Sequence, residues 1–235
     1  NQNDLRISNF TENTDGTQFD LVWRDSPIIS IDWQMPGEFN ARNLAMSFLA
    51  SALAQCASKG IEVDSGNPFS GLSLPDYSHC KGVKRRQEIL VDRSGMLVIS
   101  DFAHHPTAIE GTLRSMRARW PERKIIACFE PRSNTAVTNI FEDRFADALG
   151  VADEVLLGAV HRAEKISVEK RISTQSMIER IKSLGKTGSS FVKNSELGNY
   201  LESINSEGDA KLVVFFSNGS FDGVIDRFAK SLINS

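Results

Sequence analysis

The chain has 235 residues, 40% of them hydrophobic and 24% charged, with a formal net charge of −3. That length and balance fit one large or two small soluble domains with a sizeable core. The mild negative charge argues against a general nucleic-acid binder and leaves room for a local basic site.

Cys56, Cys80 and Cys128 are widely spaced and odd in number. They match no metal spacing and no disulfide framework, which fits a reducing compartment. No apolar run approaches the roughly 18 residues that cross a bilayer. The first residues, Asn-Gln-Asn-Asp, carry no signal-type region and no Met, so we expect the chain to start inside a longer protein.

Residues 5–10 alternate apolar and polar, as a half-buried strand does. Asp15-Gly16 marks a hairpin turn, and 18–23 and 27–33 follow as strands, so the chain opens on antiparallel β structure. A helix follows Gly37, with Leu44, Phe48, Ala52 and Cys56 recurring every four residues and Gly60 as its stop. Residues 64–80, rich in Ser, Gly, Pro and Asn, read as a connecting segment in which Phe69 and Leu72 or Leu74 are available for packing. Four cations then fall within Lys81 to Arg86, ahead of a strand, a turn at 92–95 and a returning strand at 96–100.

From there helices and strands alternate. Residues 106–120 read as a helix with Ile109, Leu113 and Met116 on one face and a proline in the first turn. Strands are expected at 124–130, 154–157, weakly at 191–192, and at 212–216. Helices are expected at 139–149, at 173–184, at 195–204 with Ser195 as cap, and at 222–233. This alternation predicts an α/β fold with a mostly parallel sheet covered by helices on both faces.

Residues 97–107, Leu-Val-Ile-Ser-Asp-Phe-Ala-His-His-Pro-Thr, run from a strand through a polar turn into a helix. Ligand chemistry sits at such places, because a strand's carboxyl end and a helix's free N–H groups converge there. Asp101 can accept from ribose hydroxyls, and His104 or His105 can donate to an anion or stack on a base. The alternative is a turn in which Asp101 caps the helix and the histidines are partly buried. Side chains of adjacent histidines diverge, so no metal site is expected from them.

Arg86 suits a bidentate phosphate contact, or else belongs to a solvated cationic strand edge. Asn40 and Asn43, three apart at a helix start, either cap the helix or reach a nucleotide. Arg132, Ser133, Asn134 and Thr135 follow a core strand, where an arginine fork matches a carboxylate; otherwise they form a polar loop that caps the next helix. Ser217, Asn218 and Gly219 end another strand with small residues that admit a ligand, or simply make a tight turn. The cations Arg114, Arg117, Arg119, Arg123 and Lys124 read as a solvated helix face and end. No Gly-x-x-x-x-Gly-Lys-Ser/Thr loop occurs.

Five stretches therefore stand out in order: 37–43, 81–88, 101–106, 130–135 and 217–219. They read Gly-Glu-Phe-Asn-Ala-Arg-Asn, Lys-Gly-Val-Lys-Arg-Arg-Gln-Glu, Asp-Phe-Ala-His-His-Pro, Glu-Pro-Arg-Ser-Asn-Thr and Ser-Asn-Gly. Together they resemble the Mur ligase family, from about Phe19 to the C-terminus, and their wording is similar to its peptide-adding branch. The resemblance implies a Rossmann-like C-terminal domain over 80–235. It also implies that 1–79 are the tail of a central ATPase domain whose P-loop half, like the UDP-sugar domain, is absent. The implied activity joins UDP-N-acetylmuramate to L-Ala-γ-D-Glu-meso-diaminopimelate through an acyl phosphate, in peptidoglycan recycling in the bacterial cytoplasm.

ATP and Mg2+ would be held mainly by the missing half, with no metal ligand in this chain. The resemblance casts Arg86, Asp101 and His104 as catalytic. It places Asn40, Asn43, Arg86, Asp101 and His105 against ATP. It gives the peptide to Arg132, Ser133, Asn134, Thr135, Ser217 and Asn218. Phe39 stands where the family usually has histidine, and Ser100 where an acidic residue often precedes Asp101. The implied partners are the two substrates and the remainder of the ligase chain, not nucleic acid or membrane, and the chain alone should not ligate. The alternatives are another amino-acid-adding Mur-type ligase, or a non-catalytic nucleotide- or peptide-binding module.

Overall fold

The computed structural model describes residues 4–62, 67–70, 76–77, 82–93, 95–204 and 208–234. The chain forms two compact units, Asn1–Lys81 with Ala118–Trp120, and Gly82–Arg117 with Pro121–Ser235. No helix among the described residues is long and apolar enough to cross a membrane.

In the first unit, β1 (Leu5–Asn13), β2 (Gly16–Trp23) and β3 (Ser26–Trp33) form an antiparallel sheet, followed by α1 (Glu38–Ser58). Alternation along β2 buries Phe19, Leu21 and Trp23, which share a core with Leu44, Phe48 and Ala52 of α1. The four-residue spacing of that helix is thus its buried stripe. Phe69 joins the same core, edge-on to Trp23 at 6.0 Å. Leu72, Leu74, Cys80 and Lys81 lie outside the described residues.

In the second unit, six strands make one sheet in the order β4-β5-β9-β6-β7-β8. They are β4 (Glu88–Asp92), β5 (Met96–Asp101), β6 (Lys124–Phe129), β7 (Glu154–Leu157), β8 (Thr187–Ser190) and β9 (Lys211–Phe216). The β4–β5 pair is antiparallel and the other pairs are parallel. The helices are α2 (Pro106–Arg119), α3 (Glu142–Leu149), α4 (Thr174–Ser183), α5 (Asn194–Ser203) and α6 (Val224–Asn234). A parallel strand buried on both faces needs a continuous apolar run, and β9, reading Leu-Val-Val-Phe-Phe after Lys211, is buried throughout.

Leu197, Leu201, Phe228 and Leu232 of α5 and α6 pack on Val98, Cys128 and Phe215 of the sheet. Phe129, next after Cys128, faces the other way and stacks on Phe145 of α3 at 4.9 Å. The connections through α2, α3 and α4 all step in one direction across the sheet, and the one through α5 steps back. Crossovers keep one hand, so the returning helix takes the opposite face. The neighbours β6 and β9, paired from Lys124↔Lys211 to Phe129↔Phe216, therefore send their following loops to opposite faces. Such a reversal opens a crevice at the strands' carboxyl ends, where open α/β sheets take their ligands.

Several elements differ from expectation. The helix expected over 139–149 is a 3₁₀ turn at Asn139–Phe141 followed by α3. The weak strand expected at Phe191-Val192 lies earlier, as β8, and Val192 is 85% exposed. β8 is an edge strand of small residues because Ile178 and Ile181 of α4 sit directly over Gly188. α5 begins at Asn194, with Lys193 rather than Ser195 at its cap. The cations around the end of α2 are not simply solvated: Arg117 pairs with Asp153 at 2.5 Å, and Lys124 with the buried Glu154 at 2.6 Å.

Phe215 is fully buried on β9, edge-on to Phe221 at 5.4 Å and to Phe228 at 6.3 Å. Phe215→Ala should destabilise the chain by about 3–5 kcal/mol, measured as a lower urea midpoint by circular dichroism.

Candidate functional site

β6 delivers Glu130 into the crevice, where it is 2% exposed. A carboxylate there must have its oxygens satisfied by donors. Ser217 Oγ, at the end of β9, donates to Oε2, and Asn194 Nδ2 donates to Oε1 at 3.1 Å. The guanidinium of Arg132 lies 3.5 Å from Oε1. The Asn194 amide also donates to Asp222 at 2.9 Å and accepts from the N–H of Ala159 at 2.9 Å. Ser217 Oγ in turn accepts from the N–H of Gly219 at 2.7 Å. One polar network thus ties together the loops that follow β6, β7 and β9.

Beside it opens a pocket of about 430 Å³. Its charged or titratable lining is Arg132, His161, Arg162 and Lys165, with Asn134 and Asn218 among its polar groups. Among the described residues no Asp or Glu lines it. Asn218 Oδ1 is buried and has no hydrogen-bond partner among the described residues. Arg132 lies against Gly219, where an added Cβ would come within 2.4 Å of Arg132 Cδ.

The expected peptide residues are thus divided. Arg132, Asn134 and Asn218 line the pocket. Ser133 Oγ accepts from the N–H of Ala136 at 3.1 Å, and the Thr135 carbonyl accepts from the Thr138 hydroxyl at 2.8 Å, so both shape the turn. Ser217 is buried against Glu130. His161, Arg162 and Lys165, from the loop after β7, were not among the expected residues. Their signal was a His-Arg-x-x-Lys cluster just past a strand end.

A second cluster gathers around Phe102. Asp101 ends β5 at 5% exposure, accepting from the N–H of Gln87 at 2.9 Å and of Ala103 at 2.7 Å. Burial pushes its carboxyl above the ordinary aspartate value, outweighing those two N–H groups and the charge of Arg86. The guanidinium groups of Arg85 and Arg86 lie over the Phe102 ring at 5.3 and 4.9 Å. Gln87 Oε1 is buried without a hydrogen-bond partner among the described residues.

His104 Nδ1 is 3.0 Å from the Phe102 carbonyl, while the His105 ring turns to Phe141 at 5.3 Å, so the two imidazoles diverge. Asn40 and Asn43 belong to the other unit, in the early turns of α1. Asn40 Nδ2 donates to the Pro36 carbonyl at 2.6 Å, and Asn43 is exposed.

The family model for the Mur ligase glutamate ligase domain matches residues 85–219, more than half of the chain and both clusters. The chain belongs to the Mur ligase family. It is 30% identical to a UDP-N-acetylmuramate–L-alanine ligase of Desulfosudis oleivorans over 215 residues, 91% of this chain and 44% of that one. A UDP-N-acetylmuramate–alanine ligase from Thermotoga maritima shares its fold with a TM-score of 0.72 at 21% identity, over 99% of this chain and 46% of that one. A murein peptide ligase from Psychrobacter arcticus matches with a TM-score of 0.60 at 25% identity, over 100% of this chain and 45% of that one. This Mur ligase chain thus spans a little under half the length of these relatives.

The folded state holds the Asp101 proton more tightly than the unfolded state does, because its carboxyl is shifted upward. That contribution to stability is present below the unfolded aspartate value and is lost as pH rises through the folded one. In the folded chain the Asp101 carboxyl carbon resonance should titrate above an exposed aspartate, and Arg86→Gln should move it higher still.

Proposed function

We propose that this chain supplies the peptide-binding unit, and one side of the nucleotide site, of an ATP-dependent peptide-adding Mur ligase. On this reading the whole enzyme phosphorylates the carboxylate of UDP-N-acetylmuramate with ATP. The amino group of L-Ala-γ-D-Glu-meso-diaminopimelate then attacks the acyl phosphate, forming the amide and releasing phosphate. The place of the reaction would be peptidoglycan recycling. Residues 1–79 would be the tail of the ATP-binding domain, and 80–235 the C-terminal ligase domain.

The observation that carries this reading is the cationic pocket. The tripeptide brings three carboxylates, whereas alanine brings one. Arg132, His161, Arg162 and Lys165 around one pocket of about 430 Å³ suit the former. The buried, unpartnered Asn218 Oδ1 offers an acceptor to an ammonium group of the peptide. The match to the Psychrobacter arcticus murein peptide ligase agrees with it. The alanine ligases among the relatives favour the second reading, an amino-acid-adding enzyme.

For the nucleotide, Arg86 would meet phosphate, and Asp101 and His105 would lie toward the ribose and base, with His104 beside them. The orphaned Gln87 Oε1, next to Arg86 in the chain, fits a ligand that brings its own hydroxyl donors. Among the described residues no three His, Cys, Asp or Glu side chains gather to hold a metal.

Isothermal titration of the chain with the tripeptide and with L-alanine tests the proposal. The tripeptide should bind, and Arg132→Ala should weaken it by about tenfold to a hundredfold. Alanine binding as tightly as the tripeptide would favour the second reading instead.

A further inference from the structure

Arg85 does not line the pocket, yet its guanidinium reaches the loop that floors it. It donates to the carbonyl of Ser217 at 2.7 Å and to that of Gly219. That reach depends on left-handed backbone at Arg85 (φ 60°) and Gln87 (φ 51°), a conformation costly for residues other than glycine. The surroundings fix it at each polar group. The Arg85 N–H donates to Glu88 Oε2 at 2.7 Å, the Phe102 N–H donates to the Arg85 carbonyl at 2.6 Å, and the Gln87 N–H donates to Asp101 at 2.9 Å. The guanidinium itself rests on the Phe102 ring.

Gly219 is the link to the pocket. A Cβ on it would stand 2.4, 2.5 and 2.8 Å from Cδ, Nε and Cζ of Arg132, so the Arg132 side chain lies directly on this residue. The other restraint on Arg132 is Glu130, 3.5 Å away. The Arg132 side chain is thereby held by the backbone of Gly219 and by the Glu130 carboxylate, and it is aimed before a ligand arrives.

We propose that Arg85 is a positioning residue for the peptide pocket: it holds the Ser217–Gly219 backbone and, through Gly219, aims Arg132. The proposal rests on the reading of that pocket as the peptide site. Both carbonyls accept from one terminal nitrogen of Arg85, Nη2, which brings two N–H groups to the loop.

The test is a double-mutant cycle on the chain, with tripeptide affinity read by isothermal titration for wild type, Arg85→Gln, Arg132→Ala and the double variant. Arg85→Gln should weaken binding about fivefold or more, and should have a clearly smaller effect, limited to what Asn218 contributes, once Arg132 is gone. Arg85→Lys, which keeps the charge and whose ammonium also brings more than one N–H, should restore part of the affinity. Equal losses in both backgrounds would mean general structural support, and that result overturns the proposal, as does Arg85→Gln binding like wild type. If Arg85→Gln does not fold, Gly219→Ala approaches the same contact from the other side and should lose affinity only while Arg132 is present. A wild-type chain that does not bind tripeptide overturns the peptide reading itself, a result separate from an additive cycle.

Discussion

A carboxylate buried at the end of β6 obliges the loops around it to bring donors. Glu130 takes them from Ser217 and Asn194, and the Arg132 guanidinium approaches as an ion pair, so three segments far apart in the chain meet there. The two hydrogen-bond donors each have a second obligation: Ser217 to the Gly219 N–H, and Asn194 to Asp222 and Ala159. The constraint therefore spreads from one side chain to the ends of three strands. Removing one partner from such a network leaves the others uncompensated in a low-dielectric site, so the loops hold their places together.

The parts of this architecture that could be read along the chain are those with local causes. The apolar runs of β5, β6 and β9 and the stripes of α1 and α6 arise from burial of successive or regularly spaced residues. β8 gave no such signal, since Thr-Gly-Ser-Ser is shaped by the isoleucines of α4 above Gly188. The site divides the same way. Arg132 and Asn134 were legible because they directly follow a strong strand, whereas His161, Arg162 and Lys165 enter through the β9-β6-β7 order of the sheet. Arg85 and Arg86 look equivalent as letters. The left-handed backbone at Arg85 separates them, and its guanidinium reaches a loop more than a hundred residues away.

The two ends of the parallel sheet also differ in charge. Near the strands' amino ends, cations meet anions: Arg117 with Asp153, and Lys124 with Glu154. At the carboxyl end, Arg132 has Glu130 along one edge, and the remaining basic groups of the pocket face no lining carboxylate among the described residues. A chain with a formal net charge of −3 thus concentrates positive potential in one crevice. Low-dielectric walls focus such a field, which favours entry of anionic ligands and makes their arrival sensitive to ionic strength.

The position of β9 has a consequence for how the second unit is made. Lys211–Phe216 is the last strand in the chain, yet it lies between β5 and β6 and pairs with both. On the ribosome, all the earlier strands emerge before the one that joins them. Until then β4-β5 and β6-β7-β8 are separate sheets with an open edge each, in the register that β9 later fills. Non-local pairing of this kind folds slowly and exposes apolar edges while it waits. The unit is therefore expected to close only once Lys211–Phe216 has emerged, and a nascent chain stopped before Lys211 should present two unpaired strand edges to whatever holds it.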